Sequence, residues 1–139
     1  MLDEGLIHSL IQRATSAREA AFAPYSGNFK VGAAVLTADG HIFTGCNIEN
    51  ASFGASMCAE RVAIYTAVAA GRRQLQALAV IAGTPEPIVP CGLCLQVLAE
   101  FSHDCQIIMA NLKEEYQVLK LEQLLPHAFR YLIPNSFKE

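Results

Sequence analysis

Two cysteine-bearing segments, Cys58-Ala59-Glu60-Arg61 and Pro90-Cys91-Gly92-Leu93-Cys94, constrain this chain more than any other feature. Each stands where a loop runs into an apolar stretch of helical character. Three cysteines therefore lie in the first turns of two helices. There the helix dipole and the free backbone N–H groups favour thiolate over thiol. Cys91 and Cys94 are three residues apart, so they share one helix face. Three thiolates brought together this way suit zinc, which takes sulfur and nitrogen ligands in a tetrahedral shell.

Three protein ligands leave one position of that shell open, as in a catalytic zinc site. Glu60 follows Cys58 by two residues and stands close to the metal without needing to bind it. It is placed to carry protons between a reacting water and a substrate nitrogen. Three thiolates also load the metal with negative charge. Arg61, three residues after Cys58, falls on the same helix face and supplies a cation to neutralise them. Two bland alternatives stay open. One is a structural zinc module with Cys46 or Cys105 as fourth ligand, and the other is a redox pair at Cys91 and Cys94.

Around these segments the pattern is that of an α/β chain. Residues 4–22 read as an amphipathic helix, broken by Pro24 and Gly27. Val31–Leu36 and His41–Cys46 read as strands of a hairpin, with turn chemistry at residues 38–40. A polar loop over 47–57 precedes a helix from Cys58 to Ala70, stopped at Gly71. Leu75–Ala82 is an apolar strand suited to the middle of a sheet. The three prolines of 83–90 make a loop, and a helix from Cys91 to Phe101 follows. Strands at 106–110 and 116–119 and a helix at 121–127 complete the order. The expectation is a mixed sheet with helices on its faces, forming one domain over residues 1–139.

Composition narrows the function classes. The net charge is −3, and the densest basic spot is Arg72-Arg73, too little to track a phosphate backbone. No nucleic-acid polymer is expected as partner. No apolar run reaches the roughly 20 residues of a membrane span, so no membrane partner is expected. The N-terminus carries acid early and does not read as a secretion signal, so the expected location is cytoplasmic. Five cysteines, an odd number, argue against a disulfide framework. Charged residues are only 17% of the chain, against about 25% in a typical soluble domain. That deficit points to surface buried between copies of the chain. His8, His41, His103 and His127 read as surface residues, and Cys46 and Cys105 as buried structural thiols.

From about residue 10 to 129 the chain resembles the small cytidine deaminases, the class with three cysteine ligands. The likeness is carried by A-R-E-A-A-F-A-P-Y-S at 17–26, F-K-V-G-A-A-V at 29–35 and G-C-N-I-E-N-A-S-F-G at 45–54. It continues through C-A-E-R at 58–61, P-C-G-L-C-L-Q-V-L at 90–98 and L-L-P-H-A-F at 124–129. The resemblance implies a three-layer α/β/α fold with a five-stranded mixed sheet. It implies one zinc ion per subunit on Cys58, Cys91 and Cys94, with Glu60 as proton shuttle. It implies hydrolytic deamination of cytidine or deoxycytidine, in a cytoplasmic homotetramer serving pyrimidine salvage. Asn47 and Glu49 match the pair that hydrogen-bonds the ribose hydroxyls. Phe29 matches the aromatic on the pyrimidine ring, and Ala59 a backbone contact to the base. Phe129 matches an aromatic that reaches a neighbouring subunit's site.

The chain departs from the family pattern in places. Leu93 and Leu95 stand where an alanine and an arginine are usual, and Gly27 is a one-residue insertion ahead of Phe29. The tail after Phe129 follows no usual pattern. All of these changes, the tail included, are expected on the substrate rim. Leu93, Leu95 and Gly27 motivate a second substrate class, a blasticidin-like or N4-substituted cytosine nucleoside.

Overall fold

Glu4–Arg18 forms the first helix (α1), capped by Asp3, whose carboxylate accepts from the Leu6 N–H at 2.7 Å. This structure, a computed structural model, describes residues 2–131. Every third or fourth residue of α1 turns inward, and Ile7, Leu10, Ile11 and Ala14 are buried. The helix stops four residues short of the expected end. Beyond it the backbone is claimed by a distant loop: Phe22 N–H donates to the Asn47 carbonyl and Glu49 N–H to the Phe22 carbonyl. Those two bonds hold the chain extended where periodicity alone favours helix.

Strands β1 (Val31–Thr37) and β2 (Ile42–Cys46) pair as the expected antiparallel hairpin. Helix α2 covers Ala59–Ala69, β3 Leu75–Ala82 and α3 Gly92–Phe101. Strands β4 (Gln106–Asn111) and β5 (Tyr116–Lys120) and the short α4 (Leu121–Leu124) follow. A single 3-10 turn, Phe53–Ala55, interrupts the loop before α2. Helix α4 is shorter than the expected 121–127 because Leu125 precedes a proline, and that position disfavours helical backbone.

The sheet order is β2-β1-β3-β4-β5, with β3 central as expected. Strands β3 and β4 run parallel, joined through α3, and the other neighbours pair antiparallel. Alternate residues of each strand serve opposite faces. Ala33, Val35, Leu78 and Val80 pack with Ala63, Ile64 and Leu98 from α2 and α3. Ala34, Leu36, Ala79 and Ile81 pack with Leu10, Ile11 and Ala14 of α1. The result is a three-layer α/β/α arrangement on a five-stranded mixed sheet.

Two features of this frame place the chemistry. Helix α2 lies directly on β2 at Gly45, where an added Cβ would come within 2.6 Å of the Ala59 carbonyl. The loop before α3 is fastened to β4. Fully buried Asn111 donates to the Pro85 carbonyl at 3.1 Å, and Ile88 N–H donates to the Ala110 carbonyl at 3.3 Å. The starts of α2 and α3 thereby meet at one end of the sheet.

Candidate active site

Cys58 is the N-cap of α2 and Cys91 the N-cap of α3, with Cys94 in the first turn of α3. The two helix starts bring three sulfurs within 4.8 Å of one another. Cys58 Sγ lies 3.8 Å from Cys91 Sγ, and Cys91 Sγ 3.4 Å from Cys94 Sγ. Zinc–sulfur bonds of about 2.3 Å at tetrahedral angles set sulfurs about 3.8 Å apart. The donor set therefore fits one zinc ion in chemistry and in spacing. Among the described residues neither Cys46 nor Cys105 joins this group, so a four-cysteine structural module finds no fourth thiol there.

The electrostatics favour one thiolate among the three sulfurs, at Cys58. Cys58 is held well below the usual thiol range, first by the hydrogen bond from the Cys94 thiol and then by the Arg61 guanidinium. Cys94, the thiol that keeps its proton in that bond, is raised by the same bond and by burial. Arg61 Nη2 donates to Cys58 Sγ at 3.4 Å, so the guanidinium lies against that sulfur. Glu60 is buried beside it, 5% exposed, and burial pushes its carboxyl up to about 6. The nearby Cys58 charge acts in the same direction.

These groups line a cleft of about 390 Å³ that opens to solvent, within the range of small-molecule sites. Phe29, Asn47, Glu49 and Ala59 line it together with Cys58 and Glu60. Asn47 is already half committed: Oδ1 accepts from Val31 N–H at 2.8 Å and Nδ2 donates to the Phe29 carbonyl at 2.7 Å. The amide still has a second N–H and a second oxygen lone pair for a ligand. Glu49 Oε1 accepts from the Tyr25 and Ser26 N–H groups at 2.7 and 3.1 Å. The carboxyl is held below its ordinary value, first by the Ser26 side chain and then by those backbone donors. Phe29, Asn47 and Glu49 are thus one unit, in which each polar group ties down the loop that presents the ring.

Other lining residues carried no expectation. Phe53 stands 75% exposed at the mouth, edge-on to Tyr25 with ring centroids 6.0 Å apart. Ile88 and Val89 form an apolar wall beside Cys91. Phe53 belongs to the 45–54 segment, and Val89 directly precedes Pro90-Cys91, but an apolar residue in a loop announces no role by itself. Phe22 and Tyr25, close by in sequence, are exposed and do not line the cleft.

The expected rim changes fall elsewhere. Leu95 is buried in the core beneath α3, where an arginine would have to reach out past its neighbours, so leucine is the residue that packs there. Leu93 is 65% exposed at the helix start and does not line the cleft. Gly27 and Asn28 form a consecutive pair at φ +73° and +67°, which absorbs the insertion as a left-handed turn in open space. Phe129 does not line its own chain's cleft and stands 71% exposed. The residues after Tyr131 lie outside the described residues. A larger hollow of about 510 Å³ lies beside Asp39 and Arg72, past the other end of β1, and brings no thiol with it.

A three-layer α/β/α domain with three converging thiols, one buried carboxylate and an open cleft defines a mononuclear zinc enzyme, with a site built for reaction rather than for structure alone. Residues 6–110 match the cytidine and deoxycytidylate deaminase zinc-binding region, and the chain belongs to that family. The cytidine deaminase of Halalkalibacterium halodurans is 48% identical over 121 residues, covering 86% of this chain and 91% of that protein. That of Sporosarcina psychrophila is 46% identical over 124 residues, 88% of this chain and 90% of that one. The crystal structure of cytidine deaminase from Burkholderia pseudomallei superposes with a TM-score of 0.84 at 48% identity, covering 88% and 98% of the two chains. The Mycobacterium tuberculosis structure gives 0.77 at 38% identity, covering 89% and 97%.

Proposed function

We propose that this chain catalyses the zinc-dependent hydrolytic deamination of cytidine and deoxycytidine, releasing ammonia and the uracil nucleoside. The observation that carries this reading is the buried Glu60 carboxylate beside three convergent thiols at one end of a nucleoside-sized cleft. Cys58, Cys91 and Cys94 hold the zinc, which when bound makes a water reactive at neutral pH. Glu60 takes the proton from the attacking water, delivers it to ring N3, and then serves the leaving amine. Its burial suits that task, because a carboxyl near 6 both accepts and donates at neutral pH.

Arg61 offsets the thiolate charge. Phe29 packs on the pyrimidine face, and the Ala59 backbone holds the base edge. Asn47 and Glu49 take the ribose hydroxyls with the donor and acceptor capacity their loop contacts leave over. Phe129 serves the cleft of a neighbouring copy. The assembly we favour is a cytoplasmic homotetramer whose 139-residue subunits are each one catalytic domain with one zinc ion, acting in pyrimidine salvage. The low charge content supports burial between copies.

The test measures ammonia release and ultraviolet absorbance change over a nucleoside panel, with Glu60→Ala as control. Cytidine and deoxycytidine are expected to turn over and the control to be inert. A folded, zinc-loaded protein that leaves cytidine, deoxycytidine and N4-substituted analogues untouched would overturn the proposal. Preference for the N4-substituted compounds would replace the substrate class.

A further inference from the structure

The segment after α4 leaves the core at Ala128, which packs against it, and turns back along α3. There one side chain grips both polar groups of Phe129. Gln96 Oε1 accepts from the Phe129 N–H at 3.1 Å, and Gln96 Nε2 donates to the Phe129 carbonyl at 2.7 Å. One residue further on, the Arg130 guanidinium donates to the Ala99 carbonyl and, at 3.4 Å, to the Ser102 carbonyl. Those carbonyls are at the C-terminal end of α3, where free acceptors and the dipole welcome a cation.

A primary amide that satisfies a residue's N–H and C=O together acts like a strand neighbour. It fixes the backbone on both sides of one Cα and hence the direction in which the side chain leaves. Phe129 has therefore given up backbone freedom, yet its ring is 71% exposed. Ordering a large aromatic without burying it is costly within one chain, but it prepares an anchor for a partner surface. The clamp also sits on α3 two residues past Cys94, so the helix that holds one copy's metal sets the position of the ring it offers outward.

We propose that Gln96 is a positioning residue. By clamping the backbone of Phe129 it presents that ring to the nucleoside cleft of a second copy of this chain. This rests on the reading of Phe129 as a contributor to a neighbour's site. Gln96 touches no substrate in this scheme and acts through Phe129 alone.

The test is a double-mutant cycle on the zinc-loaded enzyme with cytidine as substrate, using Phe129→Ala, Gln96→Ala and the pair. Inhibition by uridine gives a binding readout independent of turnover. Phe129→Ala should raise KM and the uridine inhibition constant about tenfold, the upper end for loss of one aromatic contact. Gln96→Ala should raise both about threefold or more, with kcat within about twofold, the pattern of lost uniform binding. The pair should be no worse than Phe129→Ala by more than about twofold, because the two residues act on one step. Gln96→Met, which keeps the bulk and loses both bonds, should match Gln96→Ala. It decides the matter if the alanine variant dissociates. If Phe129→Ala leaves KM unchanged, the reading of Phe129 itself falls. If Phe129→Ala raises KM while Gln96→Met does not, or if the effects multiply, the positioning role is overturned and the Phe129 reading survives.

Discussion

Arg61 and Cys58 meet within one helical turn, guanidinium to sulfur at 3.4 Å. The contact follows from the i, i+3 spacing and needs no tertiary adjustment. With zinc bound, three thiolates would leave a divalent site with a net negative charge, which this one cation would offset in the proposed mechanism. Arg61→Gln is expected to lower kcat about tenfold to a hundredfold, the worth of one charge-assisted hydrogen bond. Zinc content should fall less than activity. Arg61→Lys should recover part of the loss, having charge without the planar fork. Kinetics paired with metal analysis on the same samples checks this, and unchanged turnover in Arg61→Gln would remove the role.

Glu60→Gln preserves shape and removes the carboxylate proposed to carry the proton. Its kcat should drop about a hundredfold to ten-thousandfold, the range for a lost general acid–base group. Zinc content, urea midpoint and uridine binding should stay close to those of the parent. A variant within threefold of the parent would mean that the carboxylate is a buried structural group and that proton transfer belongs elsewhere.

The three cysteines whose sulfurs converge, and Glu60 buried beside them, stood out in the sequence because their signals are local. A cysteine at a helix start, a second one three residues on and a carboxylate in a first turn are each readable within a few residues. The sheet was legible for the same reason, since Leu75–Ala82 is apolar throughout and Ala38-Asp39-Gly40 marks a turn. What stayed hidden depends on pairing across distance. Nothing near Phe22 announces that residues 47–49 will take its backbone and end α1 early. Nothing near Gln96 announces a bond to Phe129. Leu95 looked like a rim change because it follows Cys94, whereas helical geometry turns it inward to the core. Phe53 and Val89 joined the cleft through loop shape, to which periodicity is blind.

Cys105 gives the chain an alkaline weakness. Burial raises its thiol to about 12, from an ordinary value near 9. A raised folded value means that the contribution is intact below pH 9 and is lost as pH climbs towards 12, because the unfolded chain releases the proton first. The full loss is about 4 kcal/mol at 1.36 kcal/mol per unit. Cys105→Ala should be less stable than the parent at pH 8, by about 1 kcal/mol for the small void. That gap should narrow above pH 9 by about 1 kcal/mol per unit. Urea midpoints at pH 8, 9.5 and 10.5 measure it, and parallel curves would show that this thiol does not drive the loss.

Gly45 links sheet stability to the metal site. A Cβ there would lie 2.5 Å from the Ala63 nitrogen and 2.6 Å from the Ala59 carbonyl, both backbone atoms of α2. Backbone cannot swing aside as a flexible side chain can, so Gly45→Ala must lift the start of α2 from β2. The cost is about 1–3 kcal/mol, the usual price of overpacking. The shift falls on the turn that carries Cys58, Glu60 and Arg61, while Cys91 and Cys94 stay on α3. Gly45→Ala should therefore loosen zinc as well as lower the urea midpoint, with activity partly recovered by added zinc. Unchanged zinc affinity in a destabilised variant would show that α2 yields at its far end and that the metal-bearing turn stays in place.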